Sequence, residues 1–285
     1  MTPKIPTRDG EVNLYNLGGS AVTTPRVYFV NGIQTVGRSH ALTAGYLSAL
    51  IERPVLGVFN ATAGVGLVGG FFDGLQCLAD YAQNATARLG SPGNLNKPAR
   101  VPDAKIPEFL SRVDKEYTVW NQATLALFKQ LARNKGRRQM VIAHSQGNLI
   151  TSNALFVMEE VFGSAGLSNI RVYSLASPSP AWPVGLSVKN GGGGRQDNAF
   201  MNDLVALLRP HKLAAKLGAG QFQNAGDFRT MAGAGPVSIA PHDTTKIIAT
   251  LNFLKSIRGD LGLSKDFTDA FLQKCAAMVT KAFPG

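Results

Sequence analysis

The chain has 285 residues, 45% of them hydrophobic, enough for a sizeable core, and it reads as globular and soluble. Lysine and arginine number 29 against 18 aspartates and glutamates, for a formal charge of +11. That excess favours anionic partners, whether phospholipid headgroups, nucleic acid or an acidic protein, without choosing among them. Cys77 and Cys275 stand far apart and outside any metal-ligand spacing, so neither a disulfide framework nor a zinc site is indicated.

The N-terminal stretch MTPKIPTRDGEVNLYN lacks the apolar core of a secretory signal, because charges and prolines interrupt it. The cytoplasm is therefore the default expectation, with export by a signal-independent route as the alternative. A strand is expected around Val12 to Tyr15. The run RVYFVNGI (Arg26 to Ile33) is rich in β-formers and ends in Asn-Gly, which predicts a buried strand opening into a tight loop. A helical pattern follows in HALTAGYLSALIER and a further strand in PVLGVFNAT (Pro54 to Thr62). Strand, helix, strand in this order predicts a parallel α/β sheet. Between Arg53 and Asp73 lie 19 uncharged residues, close to a bilayer-spanning length. Asn60, Thr62 and five glycines argue against a membrane span.

Residues 63 to 115 break the rhythm with a Gly-rich apolar passage, a helix around FFDGLQCLADYAQNATARL and a Pro/Asn-rich link. They read as an insertion over the C-terminal edge of the sheet, where a lid or substrate-binding cap would sit. The rhythm returns with a helix in YTVWNQATLALFKQLARNKGR, a strand in RQMVIAHS, a helix in GNLITSNALFVMEEVFG and a strand in IRVYSLASP. After Pro178, Gly191 to Gly194 run into Arg195-Gln196-Asp197 rather than Gly-Lys-Ser/Thr, so they read as a surface loop and not a phosphate cradle. A short strand is expected in DNAFMN, a helix in TTKIIATLNFLKSIRG, and a last helix in SKDFTDAFLQKCAAMVTKAF capped by Ser264 or Asp266. The absence of internal repeats and clean linkers favours a single domain over residues 1 to 285.

The stretch VIAHSQGN (Val141 to Asn148) sets a serine between an apolar run and a small-residue turn. A strand that turns sharply into a helix holds the turning residue in a strained backbone conformation and displays its side chain over the sheet edge. Crowding at such a turn demands small neighbours, which fits Ala143 and Gly147 flanking Ser145. The helix beginning after Ser145 aims its free N–H groups at the same spot.

The pentapeptide AHSQG between a strand and a helix, after a strand ending VNGI and before SLASPSP, resembles the α/β-hydrolase superfamily, particularly its lipases and esterases. The likeness in element order covers roughly residues 26 to 258. The chain departs from Gly-x-Ser-x-Gly by having Ala143 at the first glycine, and from the usual His-Gly of the early loop by having Asn31-Gly32.

The resemblance implies a mostly parallel central sheet flanked by helices with a helical cap, and a Ser-His-Asp triad that cleaves carboxylic esters through an acyl-enzyme. Of the four histidines, His144 adjoins the serine and should diverge from it. His40 caps or lines the cleft near the first helix, and His211 lies in a basic amphipathic stretch. His242 falls late in the chain, where the superfamily puts its base. The superfamily's order of serine, acid, histidine points to Asp203, followed by Leu204-Val205 as in the Asp-x-Val turn of lipases, with Asp197, Asp227 and Asp243 as alternatives. The oxyanion donors would be the N–H groups of Ile33 and Gln146, with Gln34 adjacent to the first. No metal or cofactor is called for.

The expected substrate is an ester or lipid. The cluster Arg133 to Arg138 precedes the serine strand, opposite the chemistry, whereas Arg209, Lys212 and Lys216 follow the expected acid and would suit an anionic membrane surface. Nucleic acid is the less favoured partner. Two other readings stay open: a catalytically silent hydrolase-like protein that binds a lipid or a partner, and an exported lipase effector acting on membranes.

Overall fold

The computed structural model describes residues 3–19, 21, 26–33, 35–61, 67–89, 96–116, 121–179, 181–186, 194–200, 229–231, 257–263 and 267–284; at 67–75, 88–89, 185, 194–200 and 229–231 it describes the backbone alone. Among the described residues, its centre is a seven-stranded sheet, β1 (Val12–Tyr15), β2 (Val27–Val30), β3 (Val55–Val58), β4 (Gln139–His144), β5 (Ile170–Leu175), β6 (Gly194–Phe200) and β7 (Arg229–Met231). The spatial order is β1-β3-β2-β4-β5-β6-β7. Only β1 runs antiparallel, against β3; every other neighbouring pair is parallel.

The fold is thus α/β with a mixed, mostly parallel sheet. All four residues of β2 and all six of β4 are buried, as expected of strands covered on both faces.

Alternation along each strand sorts these side chains into two cores. Val27 and Phe29, Met140 and Ile142, Tyr173 and Leu175 pack with α1 (Gly37–Leu50) and α6 (Asp269–Ala282) on one face. Tyr28 and Val30, Val141 and Ala143, Ile170 and Val172 pack on the other with α3 (Ile106–Glu116), α4 (Gln122–Arg133) and α5 (Gly147–Phe162). On this second face Phe109, Phe128 and Phe162 form an aromatic cluster, with Phe128 and Phe162 stacked at a centroid distance of 6.2 Å.

Helix α3 was not anticipated. Ile106, Phe109, Leu110 and Val113 recur at helical spacing, and Phe109 and Val113 are buried against the second core. Pro107 obscures the pattern, but proline in a first helical turn lacks only an N–H that has no partner there in any case. Upstream, the N–H groups of Arg100 and Val101 donate to the Val161 carbonyl (2.9 and 3.1 Å), fastening this stretch to the end of α5.

Other boundaries also shift. Strand β6 begins at Gly194, paired with Arg171, so the last of the four consecutive glycines is strand rather than loop. The cap of α6 is Thr268, whose hydroxyl accepts the Phe271 N–H at 3.2 Å, and not Ser264 or Asp266, which lie outside the described residues. Arg258, 1% exposed, ties the C-terminal segment to α1: its guanidinium donates to the Leu50 carbonyl (3.2 Å) and Glu52 (3.3 Å) beneath the rings of Phe267 and Phe271.

Among the described residues no helix is long and apolar enough to cross a membrane. Truncating Phe128 to alanine leaves Phe109 and Phe162 facing a void, so Phe128→Ala is expected to cost about 3–5 kcal/mol in urea-denaturation stability.

Candidate active site

Strand β2 has β3 on one side and β4 on the other, so the direction of chain winding reverses between β2 and β4. In open parallel sheets such a reversal leaves a crevice at the carboxyl ends of the two strands, the usual place for a ligand. Here it is bounded by the loop after Val30 and the turn after His144.

Ser145 occupies that turn, between the end of β4 and the start of α5, at φ 53°, one of three non-glycine residues described in the left-handed region. A serine pays for this conformation in steric energy unless its surroundings hold it. Its N–H donates to the Leu175 carbonyl (3.0 Å), and the Asn148 side chain donates to both the Ser145 and Leu175 carbonyls (3.0 and 2.9 Å). Asn148 thereby clamps the turn to the end of β5.

Two glycines make room around it. A Cβ on Gly32 would lie 2.4 Å from the Ser145 Cβ and 2.9 Å from its Oγ, so the β2–α1 loop passes directly against the serine side chain. A Cβ on Gly147 would lie 2.4 Å from the Val30 carbonyl oxygen and 2.8 Å from that of Asn31. The small residue at 147 therefore serves the approach of α5 to the end of β2; its closest neighbours lie there and not at Ala143.

The loop is fixed by Asn31, 1% exposed and saturated with hydrogen bonds. Its Nδ2 donates to the carbonyls of Gly32 (2.9 Å) and Asn60 (2.8 Å), and its Oδ1 accepts the Asn60 N–H (2.9 Å). That oxygen also faces His40 Nδ1 at 2.8 Å, which makes Nδ1 the donor and fixes the imidazole tautomer.

His40 is wholly buried among Tyr15, Phe29 and Phe59, with its Nε2 against the bare Cα of Gly57. Burial pulls its pKa down to about 3, so the ring is a neutral structural donor. It neither caps α1 nor lines an open cleft, since the cap position is Val36.

Beyond Asn31 the polar contacts continue beneath α2 (Leu67–Leu89). Asn60 Nδ2 donates to Gln146 Oε1 (2.9 Å), and Gln146 Nε2 donates to Asp80 Oδ2 (2.6 Å). Asn121 bridges Asn60 and Asp80 at 3.3 and 3.4 Å while its own oxygen caps α4. One turn along α2, Asn84 donates to Ser152 (2.8 Å) and Asn153 (3.1 Å), and Asn153 donates to the Asp80 carbonyl (3.1 Å).

Asp80 is 1% exposed, and among the described residues its Oδ1 has no hydrogen-bond partner. Burial pushes its carboxyl up to about 6; the Gln146 and Asn121 amides oppose the shift and the charge of Asp9 adds to it. On the same helix, burial and the nearby Asp80 raise the Cys77 thiol to about 11, which keeps it from acting as a thiolate at neutral pH. Both Cys77 and Cys275 are free.

Of the residues expected to act, the structure brings Ser145 and Gln146 together with the Gly32–Ile33 peptide at one crevice. Asp203 and His242 lie outside the described residues, as do Gln34, Asp227, Asp243 and His211. Asp197 lies within β6, where only the backbone is described. His144 is buried at the end of β4. Among the described residues no cluster of His, Cys, Asp and Glu could hold a metal ion. Asp80, Asn60 and Asn121 were not anticipated; Asp80 and Asn84, four apart on α2, were the one visible signal, two polar side chains on one helical face.

No protein-family model, curated protein or solved structure matches the chain.

The raised carboxyl has a sign that stability measurements can read. Asp80 in the folded chain holds its proton more tightly than the ordinary value of 3.8, so its stabilising contribution is full below about pH 4 and is lost as pH rises through about 6. Relative to Asp80→Asn, the wild type should lose about 2 kcal/mol of unfolding free energy between pH 4 and pH 7. Denaturant melts of the two proteins across that range check the expectation.

Proposed function

We propose that the chain is a serine ester hydrolase with an α/β-hydrolase arrangement, acting on carboxylic esters and, among them, lipids. The observation that carries this reading is Ser145 at φ 53° between a parallel strand and a helix, pressed against Gly32 where the strand order reverses. A strained serine backed by a helix N-terminus has little structural purpose, whereas a nucleophile displayed to a substrate carbonyl needs both features.

In this reading Ser145 Oγ attacks the acyl carbon while His242 takes its proton, and Asp203 orients the imidazole and stabilises its charge. The N–H groups of Ile33 and Gln146 hold the tetrahedral oxyanion. His242 then returns the proton to the leaving alcohol, and water, activated by the same histidine, releases the acid from the acyl-enzyme. Ser145 is only 2% exposed, so substrate entry requires an opening movement, and α2 is the element we assign as the lid. Residues 106–116 are unsuited to that role because Phe109 and Val113 are rooted in the core.

Two measurements test the reading. A fluorophosphonate probe should label the wild type at Ser145 alone, and Ser145→Ala should lower turnover of short p-nitrophenyl esters by at least 1,000-fold, roughly the scale of losing a nucleophile. Labelling at another residue, or turnover that survives in Ser145→Ala, would reject it. The burial of Ser145 also favours a second reading, a hydrolase-like chain that holds a lipid without cleaving it; ligand that co-purifies intact and persists on incubation would select that one.

For the membrane side of the proposal, replacing Arg209, Lys212 and Lys216 with glutamine should weaken sedimentation with anionic vesicles while leaving neutral vesicles unaffected. Unchanged binding would remove the membrane surface from the account.

A further inference from the structure

The polar contacts under α2 form a directed chain that ends on both groups assigned above to the oxyanion. Asp80 Oδ2 accepts from Gln146 Nε2, so the Gln146 amide must present its oxygen in the other direction, where it accepts from Asn60 Nδ2. Asn60 in turn is locked to Asn31 through two bonds, its N–H to Asn31 Oδ1 and its carbonyl to Asn31 Nδ2. The same Asn31 Nδ2 donates to the Gly32 carbonyl. That carbonyl and the Ile33 N–H belong to one planar peptide group, so fixing the oxygen on one side fixes the direction of the N–H on the other.

The other end of the chain is Gln146 itself, whose backbone N–H is the second assigned donor. An ionised carboxylate can only accept hydrogen bonds, and this gives the whole series its polarity. A carboxylate leaves one choice, and an amide in its place can supply the same acceptor by turning its oxygen to Gln146 Nε2.

We propose that Asp80 is a positioning residue for the oxyanion site, and that the docking of α2 on α5 and the alignment of the Ile33 and Gln146 N–H groups are a single event. The proposal rests on the serine-hydrolase reading and adds to it a coupling between the lid and the chemistry. Three further hydrogen bonds belong to the same docking: Asn84 to Ser152, Asn84 to Asn153, and Asn153 to the Asp80 carbonyl. When α2 lifts, Gln146 loses its Asp80 acceptor and Asn60 loses both the Gln76 amide (3.4 Å) and the fixed orientation of the Gln146 amide, so the anchor of Asn31 and of the Gly32 carbonyl is loosened. A substrate is then activated only under a closed lid, where water is excluded.

The experiment compares Asp80→Ala, Asp80→Asn and Gln146→Met with the wild type. Gln146→Met keeps the volume and the backbone N–H but removes the amide, so it carries the test if Asp80→Ala fails to fold. Short p-nitrophenyl ester kinetics should show kcat reduced roughly 10- to 100-fold in Asp80→Ala and Gln146→Met with KM within about twofold, the pattern of a displaced oxyanion donor. Asp80→Asn, which retains an acceptor for Gln146 Nε2, should recover most of the loss. Backbone amide exchange at Asn60 should quicken at least roughly tenfold in Asp80→Ala, with β2 and β4 amides unchanged, as expected of a local rather than global opening.

A merely structural Asp80 would lower thermal stability with kcat intact, and that result would overturn the proposal, as would Asp80→Asn being no better than Asp80→Ala. Probe labelling of wild-type Ser145 separates the two levels. Labelled wild type with kcat and Asn60 exchange unaltered in the variants rejects the role of Asp80 alone; wild type without label or turnover rejects the hydrolase reading and this proposal together.

Discussion

The close approach of the start of α5 to the end of β2 is the constraint on which the site depends. Gly147 touches the Val30 and Asn31 carbonyls, and Gly32 touches the Ser145 side chain, each at a distance that excludes a β-carbon. These two bare positions let a helix that follows β4 and a loop that follows β2 meet in the crevice left by the reversal of strand order. A methyl group at either position would push the two apart and take Ser145 off its backbone conformation. The sheet supplies the rigidity for this: β2 and β4 pair in register from Val27 opposite Met140 to Val30 opposite Ala143, so the two strand ends cannot drift independently.

Around that contact the interior becomes polar, which is costly unless hydrogen bonds are complete. Asn31 meets the requirement fully, and His40 meets it by giving up its charge, at the expense of a buried Nε2 with no partner among the described residues. Asp80 does not meet it, because one carboxylate oxygen is buried without a donor among the described residues, and burial makes ionisation harder than for an ordinary carboxyl. An apolar seam between α2 and α5 would bind the helix more firmly. The polar seam holds it in one orientation and at lower net stability, the combination that the proposed lid role of α2 calls for.

Much of the scaffold was legible in the chain. The β-rich runs at Val27, Met140 and Ile170 and the apolar stretch after Gly147 are long and regular, and each formed the expected element within a few residues. Ser145 was legible for the same reason, since a hydroxyl between a buried strand and a helix start is conspicuous. Asn31 was visible as a departure from His-Gly but not as a clamp, because its partners Asn60 and His40 are 29 and 9 positions away. The reason for Gly147 was equally hidden: its neighbour is β2, and nothing local to the turn says which strand lies beside β4. Helix α3 escaped notice although its pattern was present, because Pro107 and the turn-rich residues before it resemble a linker until tertiary packing of Phe109 and Val113 decides otherwise.

The roles of charge and burial divide along the same lines. Arg133 to Arg138 sit at the amino end of β4, a strand's length from Ser145, and Lys135 there is paired with Asp103 at 2.6 Å, so this basic cluster contributes to the surface rather than to the crevice. Near the crevice, three described groups are displaced from their ordinary values in the direction of neutrality: His40 downward, Cys77 and Asp80 upward. Under the proposed hydrolase reading, an interior that suppresses charge is one in which a newly formed oxyanion is strongly felt, and in which fixed N–H dipoles act with little screening. The same low polarity would penalise an ionised Asp80 beside the developing negative charge, so a carboxyl poised near pH 6 is tolerable there only if its geometric service outweighs its field. The orientation it imposes on Gln146, and through Asn60 and Asn31 on the Gly32–Ile33 peptide, is a service that no apolar residue at position 80 could perform.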